Sequence, residues 1–136
     1  MAAVPEREIT EPVDLCLPDG RLNPDAVGWS RHPVHSTTVP GWGRGKRWEY
    51  WGITTPDHIV AVTVAMLDYA TLHEVWVFDR ATSTDLDASA ITPLSRGVDL
   101  PASLGDGDGA PPATARVPGI ETTITDSSAG TRIVAT

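Results

Sequence analysis

Glu49 stands in the run Arg47-Trp48-Glu49-Tyr50-Trp51, a carboxyl set among indole and phenol rings. Alternation along an extended chain places Glu49, Trp51 and Ile53 on one face and Trp48 with Tyr50 on the other. A carboxyl buried beside indole has a raised pKa and can serve as a general acid, the property needed to protonate an alkene or an ether. The competing reading is structural: an ion pair from Glu49 to Arg44, Arg47 or a cross-strand arginine. Asp68, His73 and Glu74 are the candidates to assist, because Asp68 and Glu74 flank a short connection and can meet His58 or His73 at one rim. A solvated strand-end cluster is the ordinary alternative there.

Binding candidates are Trp42, Arg44, Arg47, Trp48, Tyr50, Trp51 and Trp76. The stretch from Gly41 to Trp48 mixes three cations with aromatics and glycines, which suits a phosphate or a stacked base. Arg and Lys stems lying over Trp rings explain the same composition without a ligand. These glycines do not follow a strand and open a helix, so neither the phosphate-loop nor the dinucleotide pattern applies.

Metal and thiol chemistry find little to work with. His32 and His35 are separated by Pro33 and lack a third ligand, so no metal site is expected. Asp106, Asp108 and Gly109 resemble the start of a calcium loop, yet Pro111 and Pro112 follow and no closing glutamate stands in place. Cys16 is the sole cysteine, which excludes an internal disulfide, and no neighbouring base activates it. No cofactor is expected.

The elements that position these groups belong to a chain of 136 residues, one domain at most. Ten Lys plus Arg against 18 Asp plus Glu give a net charge of −8, which argues against nucleic acid and anionic membrane surfaces as partners. Hydrophobic residues at 40% and charged residues at 21% suit a globular core. The longest apolar stretch, from Ile59 to Leu67, falls far short of the ~20 residues of a membrane helix. The N-terminal residues show no secretory signal, so a cytoplasmic setting is expected.

Strands are expected near 13–17, 48–54, 59–67 and 73–78, with a hairpin near 120–135. In the second of the long strands Val60, Val62, Val64 and Met66 share one face and Ile59, Ala61, Thr63 and Ala65 the other. Both faces are apolar, the pattern of a central strand. A helix from Ala65 to Trp76 is the rival reading, disfavoured by the β-branched residues on both sides. The chain divides into an N-terminal extension (1–12), a main antiparallel β region (13–100), a Gly/Pro/Asp-rich linker or loop (101–118) and a C-terminal hairpin (119–136). Ending at a strand leaves an unpaired edge, suggesting further strands beyond Thr136 and possible self-association through that edge.

The strings Glu11-Pro12-Val13-Asp14-Leu15, Pro18-Asp19-Gly20-Arg21-Leu22-Asn23-Pro24, Gly28-Trp29-Ser30-Arg31 and His32-Pro33 resemble the opening of the uncharacterised bacterial family called domain of unknown function 2804. Lys46-Arg47-Trp48-Glu49-Tyr50-Trp51-Gly52 and Glu74-Val75-Trp76-Val77-Phe78-Asp79 continue the likeness, which covers about residues 8 to 136. The resemblance implies a longer parent protein and no known activity. Arg47-Trp48-Glu49-Tyr50-Trp51 is also similar to the Glu-Trp-Trp-Tyr motif of the lipocalin-like carotenoid hydratase and tocopherol cyclase group. That similarity implies an antiparallel barrel around an apolar cavity with a lipophilic ligand.

The expected fold is therefore all-β, an antiparallel meander forming a partial lipocalin-like barrel or curved sheet with long loops. Three functions follow: binding of an apolar small molecule, lipid or isoprenoid-like, in a Trp-lined pocket; an enzyme acting on a lipophilic substrate by proton transfer from Glu49; or a truncated family member without independent activity.

Overall fold

β-branched and aromatic residues dominate from Arg47 to Phe78, and this stretch builds the central sheet. The computed structural model describes residues 6–43, 45–104 and 109–136. Strands β3 (Lys46–Thr54), β4 (His58–Leu67), β5 (Ala70–Asp79) and β6 (Thr84–Pro93) form an antiparallel meander in that order. The chain opens with β1 (Val13–Asp14) and β2 (His35–Ser36), a parallel pair outside the meander. A second sheet has the order β10-β9-β8-β7, from β7 (Val98–Asp99), β8 (Ala113–Val117), β9 (Ile120–Thr125) and β10 (Arg132–Ala135).

The fold is all-β with antiparallel main sheets, but the sheets do not close into a barrel. Instead they stack. Val62 and Val64 meet Val98, Ala113, Ala115 and Ile124, with Trp51, Val60, Met66 and Val75 packed around them. Burying one valine of this kind contributes about 1.5–3 kcal/mol. Gly97 leads into β7 at φ 75°, and a Cβ there would lie 2.4 Å from the Arg116 carbonyl oxygen, so only glycine lets the chain turn onto β8.

The strands expected near 59–67 and 73–78 form, and the rival helix over 65–76 does not: β4 and β5 are joined by Asp68 and Tyr69 alone, and their valines pair in register, Val62 with Val75 and Val60 with Val77. Two expectations change. The strand expected at 13–17 shortens to two residues, although Leu15 N–H still donates to the Ser36 carbonyl at 2.9 Å. β8 lies within the stretch read as connector, because Ala113 and Ala115 are small enough to bury flat against the core.

β6 escapes sequence reading altogether. Its Thr-Asp-Leu-Asp-Ala-Ser-Ala-Ile pattern resembles a turn, yet it pairs with β5 along its whole length. Aspartates and a terminal proline are what an edge strand carries to discourage further pairing.

Candidate functional site

β3 is the opposite edge of the same sheet. Thr55 N–H donates to the His58 carbonyl at one end of the β3–β4 ladder, and Asp68 N–H donates to the Gly45 carbonyl at the other. These bonds set the phase of the antiparallel alternation: odd-numbered residues of β3 bond to β4. Lys46, Trp48, Tyr50, Gly52 and Thr54 therefore turn their backbone N–H and C=O groups toward the free edge.

A groove of about 630 Å³ runs along that edge. One wall is β3, from Lys46 to Trp51; the other is Leu15, Thr37, Val39, Leu100, Pro101, Ser103 and Leu104. The far wall is assembled from segments distant in sequence. Thr37 N–H donates to the Ala102 carbonyl at 2.7 Å and its hydroxyl bonds the same oxygen, which ties the strand extension after β2 to the loop after β7. Arg47 Nη2 donates to the Pro101 carbonyl and pins that loop to β3. Leu15 belongs to the strand expected near 13–17; the rest of this wall carries no periodic signal in the sequence.

Glu49 lies half-buried at the groove with its Oε1 accepting a 2.8 Å bond from Trp51 Nε1. Burial pushes its pKa up, the Trp51 bond pulls it down, and the negative charge of Asp126 pushes it up again; the net direction is upward. Asp126, on the turn after β9, was not foreseen as its neighbour. The ion-pair reading does not hold among the described residues, since Glu49 forms no salt bridge with Arg47. Burial holds the Arg47 guanidinium below its usual pKa, and its Nε is enclosed without a hydrogen-bond partner among the described residues.

The other acid–base candidates do not converge on Glu49. His73 is on the same face, but the register runs Glu49, Val64, His73, which puts a whole strand between them. It is fully buried, neither ring nitrogen has a partner among the described residues, and burial lowers its pKa. Asp68 sits in the β4–β5 turn, where its Oδ2 accepts from the Gly43 and Gly45 N–H groups. Glu74 aligns with Tyr50 and Thr63 and so belongs to the opposite face.

Of the binding candidates, Arg47, Trp48, Tyr50 and Trp51 line the groove. Trp42 projects from the loop before β3 at 77% exposure, and Trp76 lies two strands away on the outer face, stacked on Phe78 at 5.9 Å. Arg44 lies outside the described residues, as do Asp106 and Asp108 of the calcium-loop reading. His35 is engaged with the Ala26 carbonyl at 3.0 Å. Among the described residues no group of three or more His, Cys, Asp or Glu side chains is placed to hold a metal, and no helix is long and apolar enough to cross a membrane.

A model of one protein family, described as a domain of unknown function, DUF2804, matches residues 6–136. The chain belongs to the DUF2804 family. The match takes in β1 to β10, so both sheets and both walls of the groove are part of the DUF2804 unit. No curated protein and no solved structure matches the chain. The lipocalin-like similarity is thus not shown, and the open sheets give it no geometric counterpart.

Proposed function

We propose that this DUF2804 protein binds an apolar small molecule, lipid or isoprenoid-like, in the groove along β3. The observation that carries the reading is the groove itself: its volume falls within the ~300–1,000 Å³ of small-molecule sites, and its wall combines Trp48, Tyr50 and Trp51 with Val39, Leu100 and Leu104. Apolar side chains supply the driving force for a hydrocarbon body. The free β3 backbone groups supply polar partners for one hydrophilic end.

The test is titration of the purified protein with hexadecanoate and with a long-chain alcohol, followed by tryptophan fluorescence and calorimetry. Saturable one-to-one binding is expected, with Leu104→Asp weakening it at least about tenfold by placing a charge against the hydrocarbon. No saturable binding of either probe, or affinity indifferent to Leu104→Asp, overturns the proposal.

A second reading is favoured by one observation, the half-buried Glu49 at the groove with its pKa raised. In this reading Glu49 donates a proton to an alkene or ether of the bound molecule. Glu49→Gln keeps the Trp51 partner and the shape, so it should abolish turnover while leaving affinity nearly unchanged. A mutant with full turnover removes Glu49 from any catalytic role.

A further inference from the structure

The second sheet covers the face of the meander that carries Val62 and Val64, and the other face is open. Register orders this open face into rows about 6.8 Å apart along the strands, the two-residue repeat of an extended chain. Across β4, β5 and β6 the rows are Ala65, Leu72 and Ile91; Thr63, Glu74 and Ser89; Ala61, Trp76 and Asp87; and Ile59, Phe78 and Asp85. A carboxyl group thus stands between two hydroxyl-bearing neighbours, with Leu72 before it and Trp76 after it on its own strand.

Glu74 is half-buried, yet it forms no salt bridge and no side-chain hydrogen bond among the described residues. Lys46 is the one cation on the strands of this face, four residues along and two strands across from Glu74. Strand geometry puts them about 17 Å apart, some twice the ~8 Å screening length of physiological salt. Asp85 is engaged, since Trp76 Nε1 donates to its Oδ2 at 3.1 Å. The Trp76 indole also stacks on Phe78, ring centroids 5.9 Å apart and planes within 13°. Trp76 lies between Glu74 and Phe78 on β5, so the indole face away from Phe78 is turned toward Glu74. Among the described residues no other ring and no cation stacks on it.

We infer that the β5 and β6 half of this face docks a basic protein partner by seating one of its arginines between the Glu74 carboxylate and the free face of the Trp76 indole. A guanidinium satisfies both: its forked N–H groups donate to the carboxylate oxygens, and its weakly hydrated plane stacks on the ring. An ammonium lacks the plane, and a neutral saccharide leaves the carboxylate charge unmatched. Charge selects the partner. The chain carries −8, which attracts a basic protein from a distance and repels a second copy, and Glu74 with Asp87 offers the local complement. The apolar flanks select a polypeptide over a free cation. Leu72 with the 72% exposed Ile91 lies one row before Glu74, and Trp76 with Phe78 follows it. Same-face residues of an extended segment share the ~6.8 Å repeat, so an arginine with an apolar residue two places to either side meets all three rows. Trp48 and Tyr50, which border the β3 groove, take no part, and the inference does not rest on what fills that groove.

The experiment is calorimetric titration of the full chain with a capped pentapeptide, leucine-threonine-arginine-threonine-leucine, and with the same peptide carrying glutamine for arginine. Glu74→Gln is the test variant, and Glu11→Gln, exposed in the N-terminal segment, is the control with the same change of charge. The arginine peptide should bind one-to-one with a Kd below about 1 mM. Glu74→Gln and the glutamine peptide should each weaken binding at least about tenfold, with Glu11→Gln without effect and circular dichroism unchanged for both variants. Hexadecanoate affinity should be the same in Glu74→Gln, because Glu74 does not line the groove, so either reading can fail without the other. The inference is overturned by absence of saturable peptide binding at millimolar concentration, by affinity indifferent to Glu74→Gln, or by equal losses in Glu74→Gln and Glu11→Gln, which would reduce the effect to bulk charge. A wild type that sediments as a dimer and is dissociated by Ile91→Asp overturns it too, assigning the face to a second copy.

Discussion

The two faces of one sheet use the same strands to opposite ends. On the inner face, Val62 and Val64 are enclosed by β7, β8 and β9, together with two polar residues, Thr71 and His73. On the outer face, larger and more polarisable side chains, Trp48, Tyr50, Trp76 and Phe78, stand in or near water, interleaved with Glu74, Asp85 and Asp87. Thr71 finds a partner, its hydroxyl 2.6 Å from that of Thr92, whereas His73 finds none among the described residues. Size and hydrophobicity alone would have put the aromatics inside. Cover is decided by what lies opposite: the second sheet brings alanines and a few branched residues over Val62 and Val64, and the Trp51 indole on the same face is only partly buried against them.

The largest test of the contrast sets matched charges on the two faces. Val64→Asp, at a position with no exposure, should cost about 4 kcal/mol or more and yield no cooperative melt. Ile91→Asp, measured in dilute solution, should stay within about 0.5–1 kcal/mol of wild type by chemical denaturation. Comparable losses at both sites would mean that the outer face is covered within the monomer.

A smaller effect concerns His73. Its folded pKa lies below the ordinary 6.5, so the folded chain resists the proton that the unfolded chain accepts. Stability is complete above about pH 6.5 and falls as pH drops through and below that value, with a slope of at most about 1.4 kcal/mol per pH unit from this one group. His73→Leu removes two unpaired buried nitrogens and should both flatten that slope and raise stability near neutrality by about 1 kcal/mol. An unchanged slope would assign the acid sensitivity to another group.

The smallest expected effect is at Glu49. Its folded pKa lies above the ordinary 4.5, so the folded state favours the protonated carboxyl, and stability from this group is full below about pH 4.5 and declines as pH rises through the folded value. Glu49→Gln should therefore gain less than about 1 kcal/mol at pH 7 and nothing at pH 4, read from paired urea titrations.

Much of the sheet was legible because its signals are local. β3, β4 and β5 are runs of Val, Ile, Trp and Tyr separated by short turns, and the alternation correctly paired Glu49 with Trp51 and set Trp48 with Tyr50 apart. β6 and β8 were not legible, since aspartates, threonines and alanines form strands only when a neighbour offers a ladder. The candidate site was legible on one side only. Its β3 wall is a continuous string, while Thr37, Val39 and Leu100 to Leu104 reach it through the Thr37–Ala102 and Arg47–Pro101 bonds.

From composition and periodicity alone came the all-β class, the central β4 strand with two apolar faces, and the grouping of Glu49 with Trp51 on one face of β3, because each depends on residue type and on the two-residue repeat of a strand. Tertiary structure decided which apolar face of β4 is covered, that Glu74 points away from Glu49, that His73 is enclosed without a partner among the described residues, and that β3 rather than β4 is the edge. Those outcomes hinge on sheet order and on the second sheet's placement, and both are set by contacts between residues far apart in the chain.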